Sequence, residues 1–235
     1  MQTALVTGAG QGLGRALATA LVHRGWRVVI TARTESDLVA VADEAGAGSD
    51  VVVLPGDVTD PAHRARLADA VERLGRLDVL VNSASTLGPR GLGPLAGLGA
   101  DELSDILTTN LVAAHALTIA VLPQLRRAAG VVLNVSSDAA VEHYETWGGY
   151  AASKAALDHL TSTLAAEEAG ILAYAVDPGD MRTQMHQDAF PGEDIGDRPL
   201  PDEVAVPGIL RLLDTRPASG RYRAADLLEP TGAAS

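Results

Sequence analysis

Six short runs dominated by Val, Ile and Leu, at residues 3–6, 27–31, 51–54, 78–81, 131–135 and 172–176, alternate with longer stretches of helical periodicity. Those stretches cover residues 14–24, 35–45, 61–74, 101–128 and 150–169. The strand-like runs are nearly continuous in apolar residues, the pattern of strands covered on both faces. Parallel strands need long crossovers, and the intervening helices supply them. The order predicts an α/β fold: a single doubly wound Rossmann-type domain, with a mostly parallel sheet of six or seven strands and helices on both faces. Residues 220–224 read as the short final strand.

No composition shift or repeat divides the chain before about residue 180, so residues 1–235 read as one domain. Regularity fades after Pro178, and residues 180–213, with a helix at 202–213, read as a lid. The chain has no cysteine, which excludes a disulfide scaffold, thiolate zinc and a cysteine nucleophile. Its six histidines (His23, His63, His115, His143, His159 and His186) show no ligand spacing, so no metal site is expected. A net charge of −12 argues against nucleic acid or an anionic membrane as partner. The apolar stretch from Leu111 to Pro123 falls short of the ~20 residues of a membrane span. Residues 1–8 carry no signal-peptide features, and a cytoplasmic protein is the expectation.

The first strand runs straight into Thr7-Gly8-Ala9-Gly10-Gln11-Gly12-Leu13-Gly14 and then a helix. Glycines let the backbone turn tightly and approach a pyrophosphate, while the helix start offers free N–H groups. The spacing is T-G-x-x-x-G-x-G, not the common G-x-G-x-x-G. With Tyr150 and Lys154 further along, this pattern strongly resembles the short-chain dehydrogenase/reductase family in its compact, single-domain form. The resemblance spans roughly residues 3–183.

The resemblance implies a dinucleotide site with Gly8, Gln11, Gly12, Leu13 and Gly14 in the turn. At the end of the second strand an NAD enzyme would carry an acid; here stand Ala32, Arg33 and Thr34. A guanidinium can hold a 2′-phosphate, so NADP is expected, with Arg33 as clamp and Thr34 as helper. Asp57 and Val58 match the adenine-contacting pair, although Asp after a strand is also a plain turn former. Asn82-Ser83-Ala84 resembles the family's N-A-G segment without its glycine. Pro178-Gly179-x-x-x-Thr183 resembles the segment that covers the nicotinamide, with Met181 against the ring.

Tyr150 and Lys154 stand at i and i+4 on one helix face. A nearby ammonium is expected to stabilise the phenolate and lower the phenol pKa from its usual ~10. Of the 18 basic residues only Lys154 is lysine, leaving 17 arginines. A compact amine can approach the phenol and also donate to ribose, which a guanidinium does poorly. Ser137 lies thirteen residues before Tyr150; Ser136 is the alternative, and the family spacing favours Ser137. Asn110 resembles the family's asparagine that holds a water leading to Lys154.

These residues imply NADP(H)-dependent reduction of a ketone or aldehyde, reversible, with Tyr150 as general acid/base and Ser137, Lys154 and Asn110 in support. The rivals are an NADP-binding regulatory or scaffold protein without turnover, and a sugar-nucleotide epimerase, for which the chain is short. Arg90 and Arg182 are the candidate contacts for an anionic substrate. The resemblance also implies a homodimer or homotetramer. Residues 227–235 lack the family's frequent D-G-G ending.

Overall fold

Hydrophobic strands stack side by side because each β-branched run buries both faces under helices. In the computed structural model, which describes residues 1–46 and 50–228, they form β1 (Thr3–Thr7), β2 (Arg27–Thr31), β3 (Val51–Val53), β4 (Val79–Asn82), β5 (Val131–Val135), β6 (Leu172–Asp177) and β7 (Gly220–Arg223). The sheet order is β3-β2-β1-β4-β5-β6-β7, and every pair is parallel. The order reverses between β1 and β4, and the crevice at such a switch point, past the carboxyl ends of the strands, is where doubly wound sheets bind ligands.

The helices are α1 (Gly12–His23), α2 (Glu35–Glu44), α3 (Pro61–Leu74), α4 (Ala100–Leu107), α5 (Ala113–Ala128), α6 (Gly148–Glu167), α7 (Gln184–Ala189) and α8 (Ala205–Thr215). Successive strand residues feed opposite cores, as the two-residue pleat requires. Ala4, Val6, Val28 and Ile30 pack with Leu17 and Leu21 of α1, Leu38 of α2 and Ile209 of α8. Leu5, Val29 and Leu80 pack on the other face with Leu67 of α3 and Leu117, Val121 and Leu125 of α5. Truncating one such fully buried leucine to alanine removes about 2–5 kcal/mol.

The structure departs from the sequence expectation in three places. The stretch at 101–128 forms two α-helices joined without a break by a π-helical turn at Thr108–Val112. The combined helix, Ala100–Ala128, is long and apolar enough to cross a membrane, yet Leu117, Val121 and Leu125 are core residues of the sheet. The lid carries its own short helix, α7, whose six residues are too few to show a helical period. The helix expected at 202–213 begins only at Ala205, after a run of turns. The tail at 229–235 lies outside the described residues.

Candidate active site

A cavity of about 530 Å³ runs across the carboxyl ends of the strands, lined by residues that directly follow β1, β2, β3, β4, β5 and β6. Its first wall is the turn after β1. Gly8 has φ +66°, and a Cβ there would lie 2.8 Å from the Ala84 nitrogen. A Cβ on Gly14 would lie 2.3 Å from the Gly8 carbonyl oxygen. Gly12, at φ +54°, meets nothing closer than the Thr183 methyl at 3.5 Å, so its missing side chain leaves free space above the turn. The first turn of α1 carries N–H groups without intrahelical partners beside that space, a site suited to phosphate. These features fit a dinucleotide.

The same cavity is lined by Gln11, Leu13, Arg33, Thr34, Asp57, Val58, Ser83, Ala84, Pro178, Gly179, Met181 and Thr183. Thr7 holds the β4 loop in place: its Oγ1 accepts from the N–H groups of Ser83 (3.0 Å) and Ala84 (3.1 Å). Burial works to raise the Asp57 pKa, but the N–H and hydroxyl of Thr59 and the charge of Arg33 prevail and hold it below the usual range. Asp57 is thus both a turn former and a cavity wall. Asn82, expected with this group, does not line the cavity. It is buried, and its amide donates to Asn134 (2.8 Å) and Thr118 (3.2 Å), joining β4 to β5 and α5. An amide that ends a central strand finds polar partners in its neighbours more easily than in a ligand beyond them.

At the other end stand Ser137, Tyr150 and Lys154. Lys154 is 2% exposed, donates to the Val135 carbonyl at 2.7 Å, and sits 5.5 Å from the Tyr150 ring centroid. The pKa pattern corrects the expected acidification of the phenol. Burial pushes Tyr150 up to about 12; the Ser137 hydroxyl pulls downward, and the charges of Asp138 and Asp177 push further up. Burial also pulls Lys154 down to about 8, against the opposing charge of Asp158. Desolvation outweighs the pairing expected from i, i+4 spacing because both groups lie inside the fold. The residues of the chain therefore keep the phenol protonated.

Asn110 stands behind the site rather than in it. It is buried, and it does not line the cavity. The π-helical turn aims it at the loop after β4, where Oδ1 accepts from Thr86 N–H (2.8 Å) and Nδ2 donates to the Thr86 carbonyl and to Ser153 Oγ (both 2.9 Å). Ser153 in turn donates to the Tyr150 carbonyl at 2.6 Å. Asn110 thus ties the catalytic helix to its neighbour, one residue from Lys154. π-turns recur where a helix must aim a side chain out of the regular register.

With this geometry in place, residues 2–194 match the family model for short chain dehydrogenase. The chain belongs to the short-chain dehydrogenase family. It is 35% identical over 186 residues to the 3-oxoacyl-[acyl-carrier-protein] reductase of Salmonella typhimurium, covering 77% of this chain and 74% of that protein. It is 34% identical over 197 residues to mouse sepiapterin reductase, covering 78% and 76%. Among solved structures, a short chain dehydrogenase of Shigella flexneri complexed with NADP superposes with a TM-score of 0.89 at 29% identity, covering 96% of this chain and 97% of that one. Membership of the short-chain dehydrogenases makes this chain an oxidoreductase that uses a nicotinamide cofactor.

In this short-chain dehydrogenase, several residues at the site escaped sequence reasoning. Arg221 on β7 donates to Asp158 (3.0 Å), to the Ser137 carbonyl (2.9 Å) and to Asp177 (3.4 Å), so one guanidinium bolts together α6, the serine and the end of β6. Asp138 lines the cavity and accepts the Ser137 hydroxyl at 2.9 Å. Asp37 lines the end that holds Arg33. No spacing rule joins Arg221 to Ser137 across 84 positions; the two arginines of the short final strand, Arg221 and Arg223, were the available signal. Arg90 and Arg182 do not line the cavity. Arg90 is turned to Glu102 and to the Gly97 carbonyl.

Proposed function

We propose that the chain reversibly reduces a ketone or aldehyde to the alcohol with NADPH. The observation that carries this reading is that Ser137, Tyr150 and Lys154 line one end of the same cavity whose other end is the glycine turn and Arg33. The dinucleotide, when bound, supplies hydride. The chain supplies the rest. Tyr150, held protonated by burial, gives its proton to the oxygen as negative charge develops there. Ser137 orients that oxygen by its hydroxyl. Lys154, fixed on the Val135 carbonyl, keeps further N–H donors for ribose hydroxyls. Arg33 lines the opposite end, where a 2′-phosphate would meet its guanidinium.

NADPH oxidation against a panel of uncharged ketones and aldehydes tests the reaction, and a silent panel would overturn it. Thermal shift tests the cofactor: NADP should stabilise more than NAD at equal concentration, and the reverse order would overturn the role of Arg33. We also infer a homodimer or homotetramer through the outer faces of the π-helical turn, α5 and α6, where Val112, Ile119 and Leu160 are exposed. Sedimentation at the monomer mass would refute it.

A further inference from the structure

The chain holds only one Phe, two Trp and four Tyr. Four of those seven stand in one contact chain at the substrate end of the cavity. Trp147 meets Tyr150 at 5.7 Å between ring centroids, Tyr144 at 6.1 Å and Phe190 of the lid at 5.9 Å. His186 of α7 lies 4.8 Å from Phe190. Trp147, Tyr150 and His186 line the cavity, with Tyr144 and Phe190 packed upon them. Concentrating scarce aromatics around a cavity gives it π faces that the core could have used for packing.

Carboxylates stand among these rings. Asp138 accepts from the Tyr144 hydroxyl (2.8 Å), the Ser137 hydroxyl (2.9 Å) and the Ala139 N–H (2.7 Å), and among the described residues it has no ion-pair partner. Asp180 also lines the cavity; the His186 ring lies 3.9 Å from it and the Arg198 guanidinium 3.7 Å. The other cations nearby are engaged: Lys154 on the Val135 carbonyl, and Arg221 on Asp158, Asp177 and the Ser137 carbonyl. Arg33 is at the far end. Asp138 and Trp147 line the same cavity and are linked through Tyr144, which bonds the one and packs on the other; a carboxylate without a cationic partner and a ring face opening on one space attract a cation by charge and by the ring quadrupole together.

We propose that the substrate is a carbonyl compound bearing a protonated amine or quaternary ammonium, its cation seated between the Asp138 carboxylate and the ring of Trp147. This deepens the reductase reading and rests on it for turnover alone. The test uses two ketones of one shape, para-trimethylammonio-acetophenone and para-tert-butyl-acetophenone, with para-acetylbenzoate as the anionic arm. With NADPH, kcat/KM should favour the ammonium ketone over its tert-butyl isostere by about tenfold, and the carboxylate should be poorest. Asp138→Asn should bring the ammonium/tert-butyl ratio close to one, and Tyr144→Leu should lower it less. Thermal shifts by the same ketones in the presence of NADP read binding without turnover. Larger shifts with the ammonium ketone but no NADPH oxidation would sink the reductase reading and leave this one standing. Equal kcat/KM or equal shifts for the two isosteres, no shift with either, or a preference that survives Asp138→Asn, would overturn this one.

Discussion

The dinucleotide end of the cavity is walled largely by backbone, whereas its substrate end is walled by side chains from four separate elements. At the first end, Gly8 and Gly14 stand where even a methyl group would strike main-chain atoms. Eight consecutive residues hold the turn. At the second end, Ser137 follows β5, Tyr150 and Lys154 lie on α6, Pro178 and Met181 follow β6, and Met185 and His186 come from α7. A backbone-built wall tolerates little change in sequence where it is this close, because any side chain added at Gly8 or Gly14 meets main-chain atoms that cannot step aside. A wall of side chains can be rebuilt one residue at a time, so specificity belongs there and shared chemistry at the other end.

The largest effect should come from the substrate end. Tyr150→Phe removes the proton donor and should lower turnover at least ~10²-fold while NADP still stabilises the protein in thermal shift. Loss of that stabilisation would show that the two ends are not separable. Gly14→Ala attacks the other end: a Cβ 2.3 Å from the Gly8 oxygen forces the turn apart. The NADP-induced shift should vanish, and urea titration should show a loss of about 1–3 kcal/mol. Arg33→Ala is milder. It should raise KM for NADPH by about tenfold, leave NADH nearly unchanged and so narrow the cofactor preference, since it removes one charge-assisted contact.

Burying Lys154 leaves a signature in stability rather than in turnover. Its pKa falls from 10.5 to about 8 on folding because burial disfavours the charged form. Between these values the unfolded chain binds the extra proton, so this group adds stability as pH rises through the window. Below about pH 8 the folded protein must carry a buried ammonium. Lys154→Met should therefore be more stable than the parent at pH 7, with the gap closing toward pH 10.5. Paired denaturation curves without cofactor check this. A gap that widens with pH would mean that Lys154 is stabilised as a cation and that the solvation argument is wrong.

Much of this molecule could be read along the chain. The strand runs at 27–31 and 131–135 match β2 and β5, and the T-G-x-x-x-G-x-G turn lies where a strand feeds a helix. Ser137, Tyr150 and Lys154 line one cavity as their spacing implies. Other parts could not be read that way. Asn82 and Asn110 each donate a buried amide to protein partners: Asn134 and Thr118 for one, Thr86 and Ser153 for the other. Which partner an amide meets depends on the packing around it, and a π-helical turn leaves no mark in hydrophobic periodicity.

What the sequence settled alone is local: the period of each apolar run, a turn that only glycine can make, and two groups one helical turn apart. Those follow from bond geometry and from steric contacts between near neighbours. Tertiary structure decided what distant residues do to one another. It took water away from Tyr150 and Lys154, so that desolvation rather than pairing governs their protons. It also carried Arg221 to the serine, set the Tyr144 hydroxyl on Asp138 and packed Tyr144 on Trp147. Dielectric environment and contact across the sheet are properties of the packed whole, which no stretch of chain possesses by itself.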